Sequence, residues 1–253
     1  MEPPKAYTLC TAPRSGSTLL CRMLTETGVA GRPASYFHEP CVADWAARLA
    51  LDPGNRADER ALLVSVLRAA QDKGRNGAGP FGLRLQRHSF PYFMERLADL
   101  FPDERTDTGR LRRAFGVTAF VYLTRADKVE QAVSYVKARQ SGLWHVAPDG
   151  TELERLAPRA EPVYDAAEIA EQVETFAQYD RDWESWFAGQ GLEPLRIGYE
   201  DLSADPQQML RRTLEVLGLD GRAADGIGPG VGKLADDVSR DWVARFKATR
   251  AVD

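Results

Sequence analysis

The sequence predicts an α/β fold with a mostly parallel central sheet and helices on both of its faces. Short β-favouring runs alternate with helical patterns from residue 7 to residue 249, which is the order that βα units produce. Residues 117–124 are almost continuously apolar or β-branched, as expected for a parallel strand that is buried on both faces. No internal repeat, low-complexity tract or domain boundary is visible, so we expect residues 1–253 to form one domain.

Composition is that of an ordinary globular protein and argues against several function classes. Of the 253 residues, 43% are hydrophobic and 28% are charged. No apolar run approaches the ~20 residues of a membrane-spanning helix, and residues 1–5 lead directly into the first predicted strand, so we expect no transmembrane segment and no signal peptide. The formal charge of −4 argues against a general nucleic-acid-binding protein. It does not argue against a small polyanionic ligand.

Three cysteines, Cys10, Cys21 and Cys41, lack the spacing of metal ligands. Cys10 and Cys21 lie within apolar patterns of a predicted strand and helix. We therefore expect buried free thiols and a location in the reducing cytoplasm.

The elements follow in order from the amino terminus. A strand over residues 7–11, a small polar loop over residues 12–18 and a helix from about residue 19 come first. Further helices are predicted at residues 42–50, 57–73, 91–101, 127–141, 166–189, 206–217 and 239–249, and further strands at residues 81–85, 117–124 and 195–199. Asp127 and Asp205 are suited to cap the helices that follow them. Two stretches are predicted to lack regular structure: a charged surface connection at 102–116 and a mobile, proline-containing loop at 146–163.

The loop after the first strand is the strongest functional signal in the chain. A strand, a tight loop and a helix start direct several backbone N–H groups and the positive end of a helix at one point, which is a phosphate-binding arrangement. The loop differs from a nucleotide-triphosphatase P-loop, Gly-x-x-x-x-Gly-Lys-Ser/Thr, because its cation, Arg14, precedes Gly16 and no lysine follows. Ser17 and Thr18 add hydroxyl groups. A plain β–α turn is the alternative, but the flanking strand and helix favour a P-loop-like, three-layer fold with an anion site.

The end of the central strand provides a second cation. A nucleotide hydrolase would place an acidic residue there to hold Mg²⁺, whereas residues 122–125 end in Arg125. Ser134 follows nine residues later on the next predicted helix. Arg14, Arg84, Arg87 and Arg125 all lie at or just after predicted strand ends, so anion binding is favoured and no metal is implied.

Residues 13–18, Pro-Arg-Ser-Gly-Ser-Thr, resemble the 5′-phosphosulfate loop of sulfotransferases that use 3′-phosphoadenylyl sulfate (PAPS). The segments at 27–33 and 35–37 narrow this resemblance to bacterial PAPS-dependent carbohydrate sulfotransferases similar to trehalose 2-sulfotransferase. Further matching segments cover most of the chain: 131–135, 140–144, 198–202, 205–206, 233–236 and 239–242.

The resemblance implies a sulfuryl transfer from PAPS to a hydroxyl group of a sugar or glycolipid, with adenosine 3′,5′-bisphosphate as the second product. It implies that the 5′-phosphosulfate is held by Pro13, Arg14, Ser15, Gly16, Ser17 and Thr18. It assigns the 3′-phosphate to Arg125 and Ser134, with Lys233 or Arg240 adding charge. Homodimers are usual in the resembled family, which makes a homodimer possible here, but the sequence itself does not fix the oligomeric state.

The catalytic base is where the chain departs from the resembled family. That family has a glutamate just after a Gly-x-Pro turn, and the corresponding window, residues 33–36, contains no carboxylate. Three substitutes are available, in the order His38, His88 and Glu39, and each has a structural side chain as its alternative role. Ala34 would alternatively mark the loss of the base.

Two other function classes remain open at this point. A nucleotide- or glycan-binding protein without turnover would also lack the glutamate. A small-molecule kinase is disfavoured because the chain has neither the Gly-Lys-Ser/Thr loop nor an acidic strand end.

Overall fold

A computed structural model describes residues 4–52, 59–77 and 79–250. Its strands are β1 (Ala6–Thr11), β2 (Phe81–Gln86), β3 (Thr118–Thr124), β4 (Leu143–Val146), β5 (Glu152–Arg155) and β6 (Leu195–Gly198). Its α-helices are α1 (Ser17–Glu26), α2 (Val42–Arg48), α3 (Glu59–Arg75), α4 (Phe90–Leu100), α5 (Asp107–Phe115), α6 (Lys128–Ser141), α7 (Ala166–Gln190), α8 (Tyr199–Ala204), α9 (Pro206–Val216) and α10 (Asp237–Arg250). The predicted start of the third helix at residue 57 lies outside the described residues.

A four-stranded parallel sheet forms the centre of the fold, in the strand order β2-β1-β3-β6. Strand β1 is buried along all of its residues because it pairs with β2 on one side and β3 on the other. The carboxyl ends of β1, β2 and β3 therefore lie side by side at one edge of the sheet, where parallel α/β proteins bind their ligands.

Helices cover both faces of this sheet, which confirms the predicted three-layer α/β architecture. On one face, Tyr122 of β3 and Cys10 of β1 belong to an aromatic-rich core with helices α3, α4 and α5 and the C-terminal part of α7. On the other face, the alternate strand residues Leu9 and Val121 pack with helices α1 and α9. This alternation follows from the two-residue period of a strand.

Several local predictions are confirmed. The Asp127 carboxylate accepts a hydrogen bond from the Glu130 N–H (2.9 Å), and the Asp205 carboxylate accepts one from the Gln208 N–H (2.9 Å), so both residues cap helices as expected. Cys10 and Cys21 are buried free thiols, whereas Cys41 is partly exposed.

The prediction that residues 102–116 form an irregular connection was wrong, because they contain helix α5. The Thr106 hydroxyl caps this helix by accepting from the Gly109 N–H (3.0 Å), and Gly116 ends it at a φ of 89°. Only Leu111 and Phe115 are buried along it. An apolar face of two residues among charged neighbours is too weak a pattern to predict a helix from sequence.

The prediction of a mobile loop over residues 146–163 was also wrong for the first part of that stretch. This part folds with residues 143–145 into an antiparallel hairpin of β4 and β5. The turn closes through a hydrogen bond from the Ala147 N–H to the Thr151 carbonyl (2.8 Å), with Gly150 at a φ of 86°. This hairpin pairs with no strand of the central sheet and lies beside the carboxyl edge of that sheet. Within the described residues, no helix is both long and apolar enough to cross a membrane.

Candidate active site

A cleft of about 1360 Å³ opens at the carboxyl edge of the sheet. It extends from the amino terminus of α1 past the β4–β5 hairpin to the start of α10. The sequence-predicted site residues that line it are Pro13, Arg14, Gly16, Ser17, Thr18, His38, His88, Arg125, Ser134, Lys233 and Arg240. The side chains of Ser15 and Glu39 do not line it.

The loop between β1 and α1 is held in an unusual backbone conformation. Arg14 has a φ of 63° and Gly16 a φ of 84°, and a Cβ atom on Gly16 would lie 2.9 Å from the Tyr199 ring. The Ser15 hydroxyl points inward and donates to the Ala12 carbonyl (2.9 Å), so its side chain shapes the loop rather than facing the cleft. Helix α1 begins without a side-chain cap, which leaves its first N–H groups available to an anion.

Arg14 lies across the cleft. Its Nε donates to the Ser134 hydroxyl (3.0 Å) and its Nη1 donates to the Trp144 carbonyl (2.7 Å). Burial, and then the charge of nearby Arg125, lower the Arg14 pKa to about 10, so the guanidinium is charged at neutral pH. Ser134, expected beside Arg125, therefore contacts Arg14 and links the loop to helix α6.

Arg125 is 7% exposed at the end of β3. Its Nη2 donates to the Glu130 carboxylate (2.6 Å), and its guanidinium stacks 4.4 Å over the Tyr199 ring. Its Nε is buried and has no hydrogen-bond partner within the described part of the chain. A buried donor left unpaired in the protein alone is costly, so this nitrogen is a candidate ligand contact.

The two predicted cations near the carboxyl terminus are more exposed. Lys233 is an exposed side chain on the wall of the cleft. Arg240 is also exposed and forms an ion pair with Asp237. Neither is fixed as firmly as Arg125.

Arg84, which lies within β2 two residues before its end, is a further cation in the cleft. Its Nε donates to the Ser35 hydroxyl (2.8 Å) and its Nη1 donates to the Thr18 hydroxyl (2.9 Å). Among the described residues, neither Arg14 nor Arg84 forms an ion pair with a carboxylate. The strand-end position of Arg84 was visible in the sequence, but nothing there distinguished it from Arg87, which instead forms an ion pair with Asp182 (3.4 Å).

The segment that lacks the family glutamate runs beside Arg84. The Ser35 side chain lines the cleft, whereas Ala34 pairs with Leu83 through a parallel β-bridge and packs against the core. Position 35, not position 34, is therefore the one that directs a side chain into the cleft.

Two of the predicted base candidates form a pair, and the third is bound elsewhere. His88 Nε2 lies 3.2 Å from His38 Nδ1. Burial, and then the neighbouring His38, lower the pKa of His88 to about 4, and burial also lowers the pKa of His38. Glu39 forms an ion pair with Arg48.

His145 is a third histidine in the cleft, and the sequence analysis did not select it. It lies within hydrogen-bonding distance of the first turn of α1. His145 Nε2 is 3.0 Å from the Thr18 hydroxyl oxygen and 3.4 Å from a carboxylate oxygen of Glu154. Burial, and then Arg14, Arg84 and Arg22, lower the His145 pKa to about 3. The only sequence signal for the position of His145 was the short β-favouring run at 143–146. Its partner strand lies within residues 146–163, which were predicted to form a mobile loop.

A parallel α/β sheet with a tight loop after its first strand, leading into a helix that has no side-chain cap, defines a P-loop-like fold. The family model described as Stf0 sulphotransferase matches residues 6–249, so the chain belongs to the Stf0 sulphotransferase family. It is similar to the trehalose 2-sulfotransferases of Mycolicibacterium smegmatis (31% identity over 96% of this chain and 95% of that protein) and Mycobacterium tuberculosis (29% identity over the same shares).

Two solved structures also align with most of the chain. A sulfotransferase domain from the Synechococcus PCC 7002 olefin synthase aligns at 16% identity with a TM-score of 0.44, covering 100% of this chain and 97% of that one. A sulfotransferase from Alicyclobacillus acidocaldarius aligns at 15% identity with a TM-score of 0.46, covering 99% of this chain and 94% of that one. The family assignment does not depend on either.

Proposed function

We propose that this sulfotransferase transfers the sulfuryl group of PAPS to a hydroxyl group of a carbohydrate. The observation that carries the proposal is the set of three arginines, Arg14, Arg84 and Arg125, at the uncapped end of α1. Within the described chain, two of them have no carboxylate partner, and the third has a buried, unpaired Nε. Such a site is complementary to a ligand that bears several negative charges.

The donor fits this site in two parts. The loop N–H groups and Arg14 would hold the 5′-phosphosulfate, and Arg125 would hold the 3′-phosphate that distinguishes PAPS from ATP. The hydroxyl groups of Ser17, Thr18 and Ser134 face the same cleft. Lys233 and Arg240 would add long-range charge.

Transfer would proceed in line between the acceptor oxygen and the bridging oxygen of the donor. The bond from the acceptor oxygen to sulfur forms while the bond from sulfur to the bridging oxygen breaks, and the 5′-phosphate leaves with the electron pair. Arg14 would stabilise the charge that grows on this leaving oxygen, which is the kind of contact that accelerates a reaction most. Sequence reasoning offers His38, His88 and Glu39 as bases for the acceptor hydroxyl.

Calorimetry with adenosine 3′,5′-bisphosphate and 5′-AMP, both without Mg²⁺, tests the donor assignment. Losing a charge-assisted contact costs about 1.5–3 kcal/mol, so we expect the bisphosphate to bind roughly 10–150-fold more tightly. Equal affinities, or a strict requirement for Mg²⁺, would contradict the use of PAPS.

The acceptor is proposed to be trehalose or a related sugar or glycolipid, because both named relatives act on trehalose. A screen with labelled PAPS across free sugars, glycolipids and lipopolysaccharide fragments tests this. Trehalose should be among the fastest acceptors.

A second candidate function is a nucleotide- or glycan-binding protein without turnover. The observation that favours it is Ser35 in place of a carboxylate at the cleft. Donor binding with no sulfated product from any acceptor in the screen would support this reading instead.

A further inference from the structure

Two successive residues of the β4–β5 hairpin contact the segment formed by the β1–α1 loop and the first turn of α1. The Trp144 carbonyl accepts from Arg14 (2.7 Å), and His145 Nε2 lies 3.0 Å from the Thr18 hydroxyl oxygen. The hairpin thus places an imidazole at the point where α1 begins. This is the end of the loop at which the sulfuryl group would lie under the proposed function.

The hydrogen bonds around Thr18 allow its hydroxyl to donate to the imidazole of His145. Arg84 Nη1 donates to the Thr18 hydroxyl oxygen (2.9 Å), and a guanidinium has no acceptor to offer in return. The Thr18 hydroxyl hydrogen can therefore be donated to His145 Nε2 when the neutral ring carries its proton on Nδ1. This is the tautomer whose Nε2 lone pair can take up a proton.

We propose that His145 is the general base for the acceptor hydroxyl, in place of the missing glutamate, and that Glu154 is a positioning residue that stabilises the protonated ring. The inference rests on the proposed function. When the donor occupies the loop, its oxygens can accept the Thr18 hydroxyl, which releases the Nε2 lone pair to an acceptor. No contact of similar kind joins His38 or His88 to the loop within the described residues.

The proton and electron pair are accounted for in this step. The acceptor O–H bond breaks, its proton passes to His145 Nε2, and its electron pair forms the new bond to sulfur. The bond from sulfur to the bridging oxygen breaks towards the 5′-phosphate. The resulting imidazolium N–H faces the Glu154 carboxylate at 3.4 Å and later loses its proton to water.

The charges around His145 make its basicity depend on the donor. Arg14, Arg22 and Arg84 face it from the loop, from α1 and from β2, and Glu154 faces it from β5. With the protein alone, burial and the three arginines hold the pKa of His145 at about 3. A bound polyanion offsets the arginine charges and raises this pKa. We therefore expect the acidic limb of kcat to lie at higher pH than that of kcat/KM for the donor, which reports the donor-free protein.

The decisive variant is His145→Gln, which keeps a polar amide beside Thr18 but cannot take up a proton. Turnover is measured with labelled PAPS and the fastest acceptor from the screen, and binding is measured with adenosine 3′,5′-bisphosphate. We expect kcat to fall by at least about tenfold, a lower bound set below the usual ~10²–10⁴-fold contribution of a base. The bisphosphate affinity should change by less than about twofold, since the donor contacts remain.

A matched pair of glutamates on β5 tests the positioning role. Glu154 and Glu152 have equally exposed side chains (45% each), but Glu152 pairs with Arg155 and not with His145. Glu154→Gln should move the acidic limb of kcat to lower pH, because it removes the negative charge beside the ring. Glu152→Gln should leave the limb in place. A purely structural role for Glu154 would change the amount of active protein but not the limb.

Three results would overturn the inference. They are wild-type turnover in His145→Gln, an unmoved limb in Glu154→Gln, and a limb that persists in His145→Gln but disappears in His38→Gln or His88→Gln. If His145→Gln does not fold, the Glu154→Gln limb alone decides. A wild-type protein that fails to bind the bisphosphate would contradict the proposed function instead, and this is seen before any variant is made.

Discussion

The proposed donor side and the proposed acceptor side of the cleft are built differently. The donor side, defined here as residues 12–18 with Arg84 and Arg125, lies at the carboxyl ends of buried parallel strands. The acceptor side, defined as Ser35, the His38–His88 pair and the β4–β5 hairpin, consists of loops and a small separate sheet, with most of β5 exposed. The proposed recognition of the donor thus depends on the buried central sheet, and the proposed activation of the acceptor depends on more exposed segments.

The electrostatics of the two sides differ in the same way. The donor side concentrates arginines, whereas the acceptor side holds the histidines, all with lowered pKa values, and the Glu154 carboxylate. Because the arginines lower the pKa of His145, any ligand that neutralises them also changes the acceptor side. If the donor binds beside these arginines as proposed, donor binding and the strength of the proposed base are coupled in this cleft.

The largest expected effect belongs to the donor side. Arg14→Ala should reduce kcat by about 10²–10³-fold, as loss of a transition-state charge contact does elsewhere. The affinity for adenosine 3′,5′-bisphosphate should fall less, because charge on the bridging oxygen develops only during transfer. Steady-state kinetics and calorimetry measure the two quantities. Equal losses in both would assign Arg14 to ground-state binding alone.

Arg125→Ala should affect donor affinity rather than turnover. We expect the bisphosphate Kd to rise by roughly 10–150-fold, with its advantage over 5′-AMP lost. Arg87→Ala is a matched control, because Arg87 also follows a strand but pairs with Asp182 outside the cleft. A similar rise in Kd for the control would show that the effect reflects general charge near the sheet edge.

Sequence reasoning worked on the donor side because its signals are local. A strand, the Arg14–Gly16 loop and a helix start are adjacent in the chain, and Arg125 is marked by the strand that precedes it. The roles assigned to these residues stay predictions, but their common location at one cleft follows from parallel strand order alone.

The acceptor side could not be predicted in the same way because its geometry depends on long-range pairing. His145 enters the cleft only because β4 pairs with β5 across a turn that contains Pro148 and Gly150, and those residues indicated a mobile loop. Which residue of the 33–36 segment faces the cleft likewise depends on a long-range pairing. The β-bridge between Ala34 and Leu83 leaves Ser35 directed towards Arg84. Neither pairing has a signature in one short segment.

The register of position 35 leads to a third prediction. In the His145→Gln background, Ser35→Glu should raise kcat at least about tenfold, because it places a carboxylate base in the cleft. Ala34→Glu is the matched control and should give no rescue, since position 34 packs against the core. Rescue by Ala34→Glu instead would show that the segment is shifted by one residue when the acceptor binds. If neither variant restores turnover, a carboxylate placed in this segment beside Arg84 does not act as the base.

The smallest expected effect concerns stability, and it tests the acceptor side without any substrate. The pKa of His145 in the folded protein, about 3, lies below its usual unfolded value of about 6.5. The unfolded chain therefore binds more protons as the pH falls, so the folded state loses stability below about pH 6.5 until the folded pKa is reached. Between pH 7.5 and pH 5 a complete pKa shift would lower the free energy of unfolding by about 2 kcal/mol. Partial exposure of the ring (18%) reduces our expectation to about 1 kcal/mol.

Urea unfolding of wild type and His145→Gln at both pH values measures this difference, since the other two histidines are common to both proteins. Wild type should lose more stability than the variant on acidification. Equal losses would mean that His145 is freely solvated, and the hairpin would then not hold it against Thr18.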